Sequence, residues 1–172
     1  RDEAYIEFMI SRVVDAFESA WRGREPAEIG MGSAFEWRVA HNRRVLMRDG
    51  RTITHGVFAR LPDALCLEGP IDPEVAVVAV RARGGRRMGC LVNFTCHPTH
   101  LGGERTLSAG YPGHLANELV RRGWPTAMFF NGAAGNIHHS DPTTGGGMGM
   151  EEIARLLADQ VSGVVDRMAF RK

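Results

Sequence analysis

The chain has 172 residues and is 44% hydrophobic, which is sufficient for one domain with an apolar core. Its 21 lysines and arginines nearly balance its 20 aspartates and glutamates and form no long basic run, so we expect no nucleic-acid partner. The apolar runs are too short for a membrane span, and no signal-peptide pattern is visible.

The spacing of apolar residues and of turn residues predicts both helices and strands. In chain order, the predicted elements are a helix over 2–21, an extended segment over 29–40, strands at 45–47 and 52–54, an irregular run over 56–66, strands at 75–80 and 88–94, a helix over 112–122, a strand over 126–130, a glycine-rich loop over 143–149 and a closing helix over 150–170. The turn pairs Asp49-Gly50 and Gly84-Gly85 predict two antiparallel hairpins. In the helix over 112–122 we expect Leu115, Leu119 and Val120 to face inward.

The strands over 75–80 and 88–94 are apolar on both faces, and such strands must be covered on both sides. Three amphipathic helices are available to do this. The predicted fold class is therefore α/β, with a mixed β-sheet covered by amphipathic helices in a single domain over residues 1–172. The chain starts at Arg1 in a helical pattern, so we expect a processed protein or part of a longer one.

The three cysteines, Cys66, Cys90 and Cys96, are odd in number and form no C-x-x-C pair. A disulfide framework and a cysteine-based zinc site are therefore not indicated. Cys90 and Cys96 lie on one face of a predicted strand, where free cysteine acts as a small core residue. Unpaired cysteines favour a reducing compartment, and the sequence leaves the localisation open.

Histidines are predicted at the ends of two strands. In residues 91–102 an apolar strand is terminated by Pro98, which cannot donate to a sheet, and His97 and His100 lie at this end. About forty residues later, residues 128–142 repeat the pattern, with an apolar strand and a glycine-rich turn before a histidine pair. In α/β proteins, ligands bind at the carboxyl ends of strands, so this pattern predicts a site.

The histidine pair is His138 and His139, and Asp141 follows it. If the two strands are parallel neighbours, His97 should lie within about 12 Å of His138 or His139. Zinc takes three or four ligands and accepts imidazole nitrogen at about 2.0–2.1 Å. His97 with His100, or either of them with residues of the second segment, would satisfy this chemistry. Histidines that only make hydrogen bonds at strand ends are the alternative, and both interpretations stay open.

A loop of small residues, 131–136, follows the second strand, and its backbone N–H groups could approach an oxyanion. A tight turn beneath a packed helix is the alternative. An asparagine amide, that of Asn93 or Asn131, could orient an imidazole. The predicted site consists of His97, His100 and His139 as metal ligands and of His138 and Asn131 as catalytic groups.

Five segments occur in a specific order, at residues 42–44, 69–75, 93–99, 107–113 and 131–137. Together, over roughly residues 38–142, they resemble the amino-terminal catalytic domain of the neutral/alkaline non-lysosomal ceramidase family and its broader bacterial relatives. Besides this order, the His97-Pro98 pair is the specific part of the resemblance.

The resemblance implies a zinc-dependent hydrolase that cleaves an amide bond, such as that of an N-acylated sphingoid base, in a lipid-like or other small-molecule substrate. It assigns a zinc ligand to His97 only. His138 stands where the family has the serine of Gly-Asp-Val-Ser-Pro, and Gly110 stands where it has an aspartate. The other family ligands would lie before Arg1 or after Lys172, so we expect a fragment that contacts missing segments or forms a homo-oligomer.

We therefore expect a ceramidase-like hydrolase in which a metal-activated water attacks an amide. The alternative is a non-catalytic binding or assembly module on the same scaffold, because a fold alone does not establish activity. We do not expect catalysis through a serine. Ser140 is two residues beyond His138, about 6–7 Å away in an extended chain, which is too far to replace the family's hydroxyl.

Overall fold

Three α-helices, ten strands and one short 3-10 helix form the part of the chain that the computed structural model describes, residues 2–103 and 105–172. In order they are α1 (Glu3–Arg22), β1 (Ala27–Phe35), β2 (His41–Asn42), β3 (Arg44–Met47), β4 (Thr52–Thr54), the 3-10 helix (Phe58–Arg60), β5 (Ala64–Leu67), β6 (Glu74–Ala82), β7 (Arg87–Phe94), α2 (Gly110–Arg121), β8 (Ala127–Asn131), β9 (Ile137–His138), α3 (Met150–Asp166) and β10 (Phe170–Arg171).

The main sheet has the strand order β10-β1-β6-β7-β8. Its neighbours are antiparallel except for β7 and β8, which run parallel. The predicted hairpin of β6 and β7 is present, with Val78 opposite Leu91. A mixed sheet with helices on it confirms the α/β fold class.

Helices α2 and α3 cover one face of this sheet because their apolar residues recur at helical spacing. Alternate strand residues, such as Val77 and Val92, point to the same side and are fully buried there. The helices contribute the other half of the core with buried side chains that include Leu115, Leu119, Ile153, Leu157 and Val161. Val120, which we expected inside, is 51% exposed.

The opposite face of the sheet is exposed. We expected three helices to cover the sheet, but only α2 and α3 do so. Helix α1 forms as predicted, with Asp2 accepting a hydrogen bond from the Tyr5 amide as its N-cap, but none of its residues is buried. Amphipathic periodicity predicted the helix correctly, but it does not specify what the apolar stripe packs against.

Two small sheets lie beside the main one. In the first, β3 pairs with β4 across the predicted turn and with β5 on its other side. The expected irregular run over 56–66 is therefore wrong in part, because β5 is formed by long-range pairing that its short sequence does not signal. In the second, β2 pairs with β9, which places His41 opposite His138. In the described part of the chain, no helix combines the length and hydropathy needed to cross a membrane.

Candidate functional site

The two histidine segments meet at one edge of the main sheet. The parallel pairing of β7 and β8 continues to Phe94 opposite Asn131, so both strands end side by side. Beyond these ends, the rings of His100 and His139 stack with their centroids 3.5 Å apart and their planes at 8°. The predicted convergence of the two segments is confirmed.

Gly132 permits this close approach of the two strand ends. Its amide donates to the Phe94 carbonyl at 3.1 Å, and a Cβ atom at position 132 would lie 2.0 Å from Thr95 Oγ1. No side chain fits at that distance, so the loop over 131–136 begins with a residue that has none. The glycine here serves a packing contact between the two strand ends.

The end of β7 is held by two side chains that bind the Cys96 carbonyl. The buried Tyr111 hydroxyl donates to it at 2.7 Å. The Asn131 amide, in the orientation that satisfies its hydrogen bonds, donates to it at 2.9 Å and to the Phe94 carbonyl at 3.2 Å. The Asn93 amide likewise donates to a backbone carbonyl, that of Phe130, at 2.8 Å. These contacts join the strands, and the catalytic role of Asn131 stays a prediction.

His97 has the hydrogen bonding of a positioned metal ligand. Its Nδ1 lies 3.1 Å from the Ile137 carbonyl oxygen. A carbonyl can only accept, so Nδ1 carries the proton and donates, which leaves a lone pair on Nε2. Metal-binding imidazoles in proteins are commonly oriented in this way.

His138 uses both of its ring nitrogens within the chain. Nδ1 accepts the Ser140 amide N–H at 3.0 Å, so the proton lies on Nε2, which donates to Thr99 Oγ1 at 2.9 Å. Burial, followed by the neighbouring charge of His139, lowers the pKa of His138 to about 4. This neutral imidazole links the two segments, and its catalytic role stays a prediction.

His100 and His139 retain unpaired nitrogen atoms. His100 Nε2 donates to the Met148 carbonyl at 3.1 Å, and its Nδ1 is buried without a partner among the described residues. Both ring nitrogens of His139 are also buried and make no hydrogen bond of standard geometry to a described residue, although the nearby Thr99 backbone acts to raise its pKa. Burial, followed by the charge of His100, lowers the pKa of His139 to about 4. Buried lone pairs without a donor are costly, which makes them candidates for binding a cation.

Two further residues that sequence analysis did not assign to the site lie at its border. The ring of His55 meets that of His138 edge-on at 4.9 Å, and its backbone has the left-handed φ of 60°. Arg43 donates to His55 Nε2 at 3.1 Å and to the Gly135 carbonyl at 2.7 Å. Burial, followed by the charge of Arg43, lowers the pKa of His55. Neither residue follows a predicted strand of the main sheet, so the strand-end pattern could not find them.

A cavity of about 170 Å³ opens beside these residues. Its lining is Arg43, His55, Gly56, Val57, Ser140, Asp141, Pro142 and Gly145. Although burial raises the pKa of Asp141, hydrogen bonds from Thr143 and Thr144 lower it overall, so this carboxylate is charged at neutral pH. His41 Nδ1 lies 4.0 Å from its Oδ1. The cavity therefore has a cationic wall and an anionic wall.

The described residues do not form a ready coordination shell. Over residues 2–103 and 105–172, no three His, Cys, Asp or Glu side chains are grouped so that they could hold a metal ion. The buried Cys96 thiol does not help, because burial raises its pKa to about 12 and keeps it protonated. The structure thus brings His100, His138 and His139 together as neighbouring rings, while the hydrogen bonds of His100 and His138 go to other residues.

Comparison with solved structures shows that the chain shares its fold with part of a ceramidase. It matches neutral ceramidase from Pseudomonas aeruginosa with a TM-score of 0.66 at 20% identity, over 90% of this chain and 25% of that one. It matches a ceramidase complexed with C2 with a TM-score of 0.61 at 20% identity, over 83% of this chain and 22% of that one. No protein-family model and no curated protein matches. The predicted resemblance is confirmed for the fold, over about a quarter of the ceramidase chain.

Adding a methyl group at position 132 should separate the two strand ends. We expect Gly132→Ala to lower the free energy of unfolding by about 1–3 kcal/mol, because the new Cβ overlaps Thr95. Gly135→Ala is the matched control, since its Cβ would meet nothing within 4 Å. Urea unfolding of both variants measures this, and equal stabilities would contradict the proposed contact.

The lowered pKa values of His138 and His139 predict that acid destabilises the fold. The folded chain holds both imidazoles neutral down to about pH 4, whereas the unfolded chain protonates them near 6.5. The unfolded state binds more protons in this interval, so the free energy of unfolding should decrease as the pH falls from about 6.5 to about 4.

NMR titration of the imidazole protons in metal-free protein, with urea unfolding at each pH, checks this expectation. Replacing both histidines with glutamine should flatten the dependence over that interval. The urea-unfolded chain is the control, in which both rings should titrate normally. Titration of both rings near 6.5 in the folded protein would contradict the burial argument.

Proposed function

We propose that this chain provides part of the active site of a zinc-dependent amide hydrolase of the neutral ceramidase type. The observation that carries the proposal is the orientation of His97, whose Nδ1–H is bound by the Ile137 carbonyl so that Nε2 is available as a ligand. The shared fold with part of a neutral ceramidase supports the reaction class. The substrate would be a lipid-like or other small-molecule amide.

The donor chemistry of the site fits zinc. Neutral imidazole is one of the preferred zinc ligands, and the low pKa values of His138 and His139 keep both rings neutral at pH 7. The unpaired nitrogens of His100 and His139 would gain the partner that they lack. Because the described residues form no three-ligand cluster, a site built on His97, His100 and His139 requires ring rotation or a further ligand.

The remaining residues would position these groups. The hydrogen bond of His138 to Thr99 would fix the spacing of the two segments, and its bond to the Ser140 amide orients the ring. Arg43 binds the Gly135 carbonyl in the loop over 131–136, so the backbone N–H groups of that loop, except the Gly132 amide that donates to Phe94, would be preorganised for an oxyanion. The cavity beside Asp141 would hold a polar part of the substrate.

Bound zinc would act as a Lewis acid on the scissile carbonyl and would lower the pKa of a water ligand to about 7. Within the chain, an imidazole with a free nitrogen could accept the proton that the attacking water releases, and a pKa of about 4 makes His139 a weak base for this step at pH 7. His139 fits this role better than His138, because both nitrogens of His138 are already hydrogen bonded. If His139 instead binds the metal, the base must come from outside this set.

Zinc binding tests the proposal without depending on activity. We expect the chain to bind zinc near neutral pH and His97→Ala to weaken binding about 10-fold or more, since it removes an oriented ligand. His114→Ala is the matched control. This histidine lies on α2, and its side chain contacts Glu151 of α3 and no histidine of the candidate site. Isothermal titration with metal-free protein measures both.

Equal zinc affinity of the two variants would overturn the assignment of His97. A folded chain that binds no zinc would favour the alternative function, a binding or assembly module on the same scaffold.

The second test separates metal-dependent from serine-dependent hydrolysis. Fluorogenic N-acyl amides should be cleaved only with metal present, and Ser140→Ala should retain this activity, because alanine keeps the amide N–H that binds His138. His97→Ala should reduce the activity about 100-fold or more. Loss of activity in Ser140→Ala with retention in His97→Ala would overturn the mechanism.

A further inference from the structure

Helix α1 exposes a continuous apolar stripe. Large apolar side chains along its length are between 38% and 68% exposed. They are Tyr5, Ile6, Phe8, Met9, Ile10, Val13, Val14, Phe17 and Trp21. A helix of this kind depends on packing for most of its stability, so its stripe requires a partner surface.

The open face of the main sheet is a second apolar surface without a partner. Residues of β1 alternate, so Gly32 faces Val164 of α3 and Gly30 faces Met168 just beyond it, whereas Met31 faces outward and is 74% exposed. Across the sheet, Met31 pairs with Val78 and Val78 with Leu91, which continues the same face. Its apolar members include Ile29, Met31, Val78, Leu91, Met128 and Phe130.

The helix and the face match each other in size. The 20 residues of α1 span about 30 Å at 1.5 Å per residue. The nine residues of β6 in the centre of the face also span about 30 Å at 3.3 Å per residue. A groove of about 290 Å³ crosses the face between Met31 and Phe130. Apolar side chains on the open face favour a covering layer there, and α1 has the length and polarity of such a layer.

Two exposed contacts involve the connection between α1 and β1. The Arg24 guanidinium lies 4.2 Å from the centre of the Trp21 ring, and Glu25 forms an ion pair with Arg86, at the turn between β6 and β7. With this connection, α1 buries no residue against its own chain. A second copy presents the same open face to it.

The total surface provides an independent measure of what is uncovered. Folded monomers of 18.9 kDa expose about 8,300 Å² by the usual scaling. This chain exposes 10,879 Å². The excess of about 2,500 Å² is well above the roughly 800 Å² that each partner of a stable complex of standard size buries.

We propose that two copies of this chain associate reciprocally, with α1 of each copy covering the open sheet face of the other. The contact is isologous, so each copy contributes one helix and one sheet face. Both surfaces of both copies are then covered, and the assembly stops at a dimer. It lies on the face of the sheet opposite α2 and α3, and it does not depend on metal binding or hydrolysis.

Sedimentation velocity of the full chain over a range of concentrations tests the dimer. Phe17→Glu on the stripe and Met31→Glu on the face should each raise the dimer Kd about 30-fold or more, since each buries an unpaired charge. Both positions are largely exposed in the single chain, so the variants should still fold, which circular dichroism checks. Ser11→Glu, on the polar side of α1, is the matched control and should leave Kd unchanged.

Mixing the two variants gives the most specific readout. In a mixed dimer the intact helix of Met31→Glu covers the intact face of Phe17→Glu, so this pair should associate more tightly than either variant with itself. A wild-type chain that stays monomeric at high concentration would overturn the proposal. A dimer that Met31→Glu leaves unchanged would also overturn it, since the helices would then pair with each other.

Discussion

The parallel pairing of β7 with β8 is the constraint on which the candidate site depends. It is the single parallel pair in the described part of the main sheet, and it places Phe94 beside Asn131 so that both chains leave the sheet at one edge. This pairing brings together two histidine segments that are about forty residues apart in the sequence. Gly132, which leaves room for Thr95, and Tyr111, which binds the Cys96 carbonyl, secure the two ends.

The imidazoles at this edge of the sheet form two groups that differ in how many ring nitrogens are hydrogen bonded. His138 uses both nitrogens to bind Thr99 and Ser140, and the bond to Thr99 links the two segments. His97 uses one nitrogen and keeps the other available, while His100 and His139 keep buried nitrogens without partners. Neutral rings with unused lone pairs are what a zinc site requires, and a site without metal bears the cost of burying them.

The sequence predicted the features that follow from local patterns. Apolar periodicity predicted α1 and α3, turn residues predicted the hairpins, and Pro98 indicated that the strand stops before His97, as β7 does at Phe94. The parts that it missed depend on long-range pairing: β5 joins β3, and β2 joins β9, which brings His41 towards the site. Arg43 extends that second pairing, because its amide donates to the Asn136 carbonyl, and the His55 amide donates in turn to the Arg43 carbonyl. Helix α1 shows that periodicity predicts a helix without specifying its partner.

Anomalous scattering from crystals grown with zinc, measured on both sides of the zinc absorption edge, tests the central claim most directly. The account predicts an anomalous peak at about 2.0–2.1 Å from His97 Nε2, with His100 or His139 as a further neighbour. A well-ordered His97 without a peak in zinc-saturated crystals, or a peak remote from both strand ends, would contradict it.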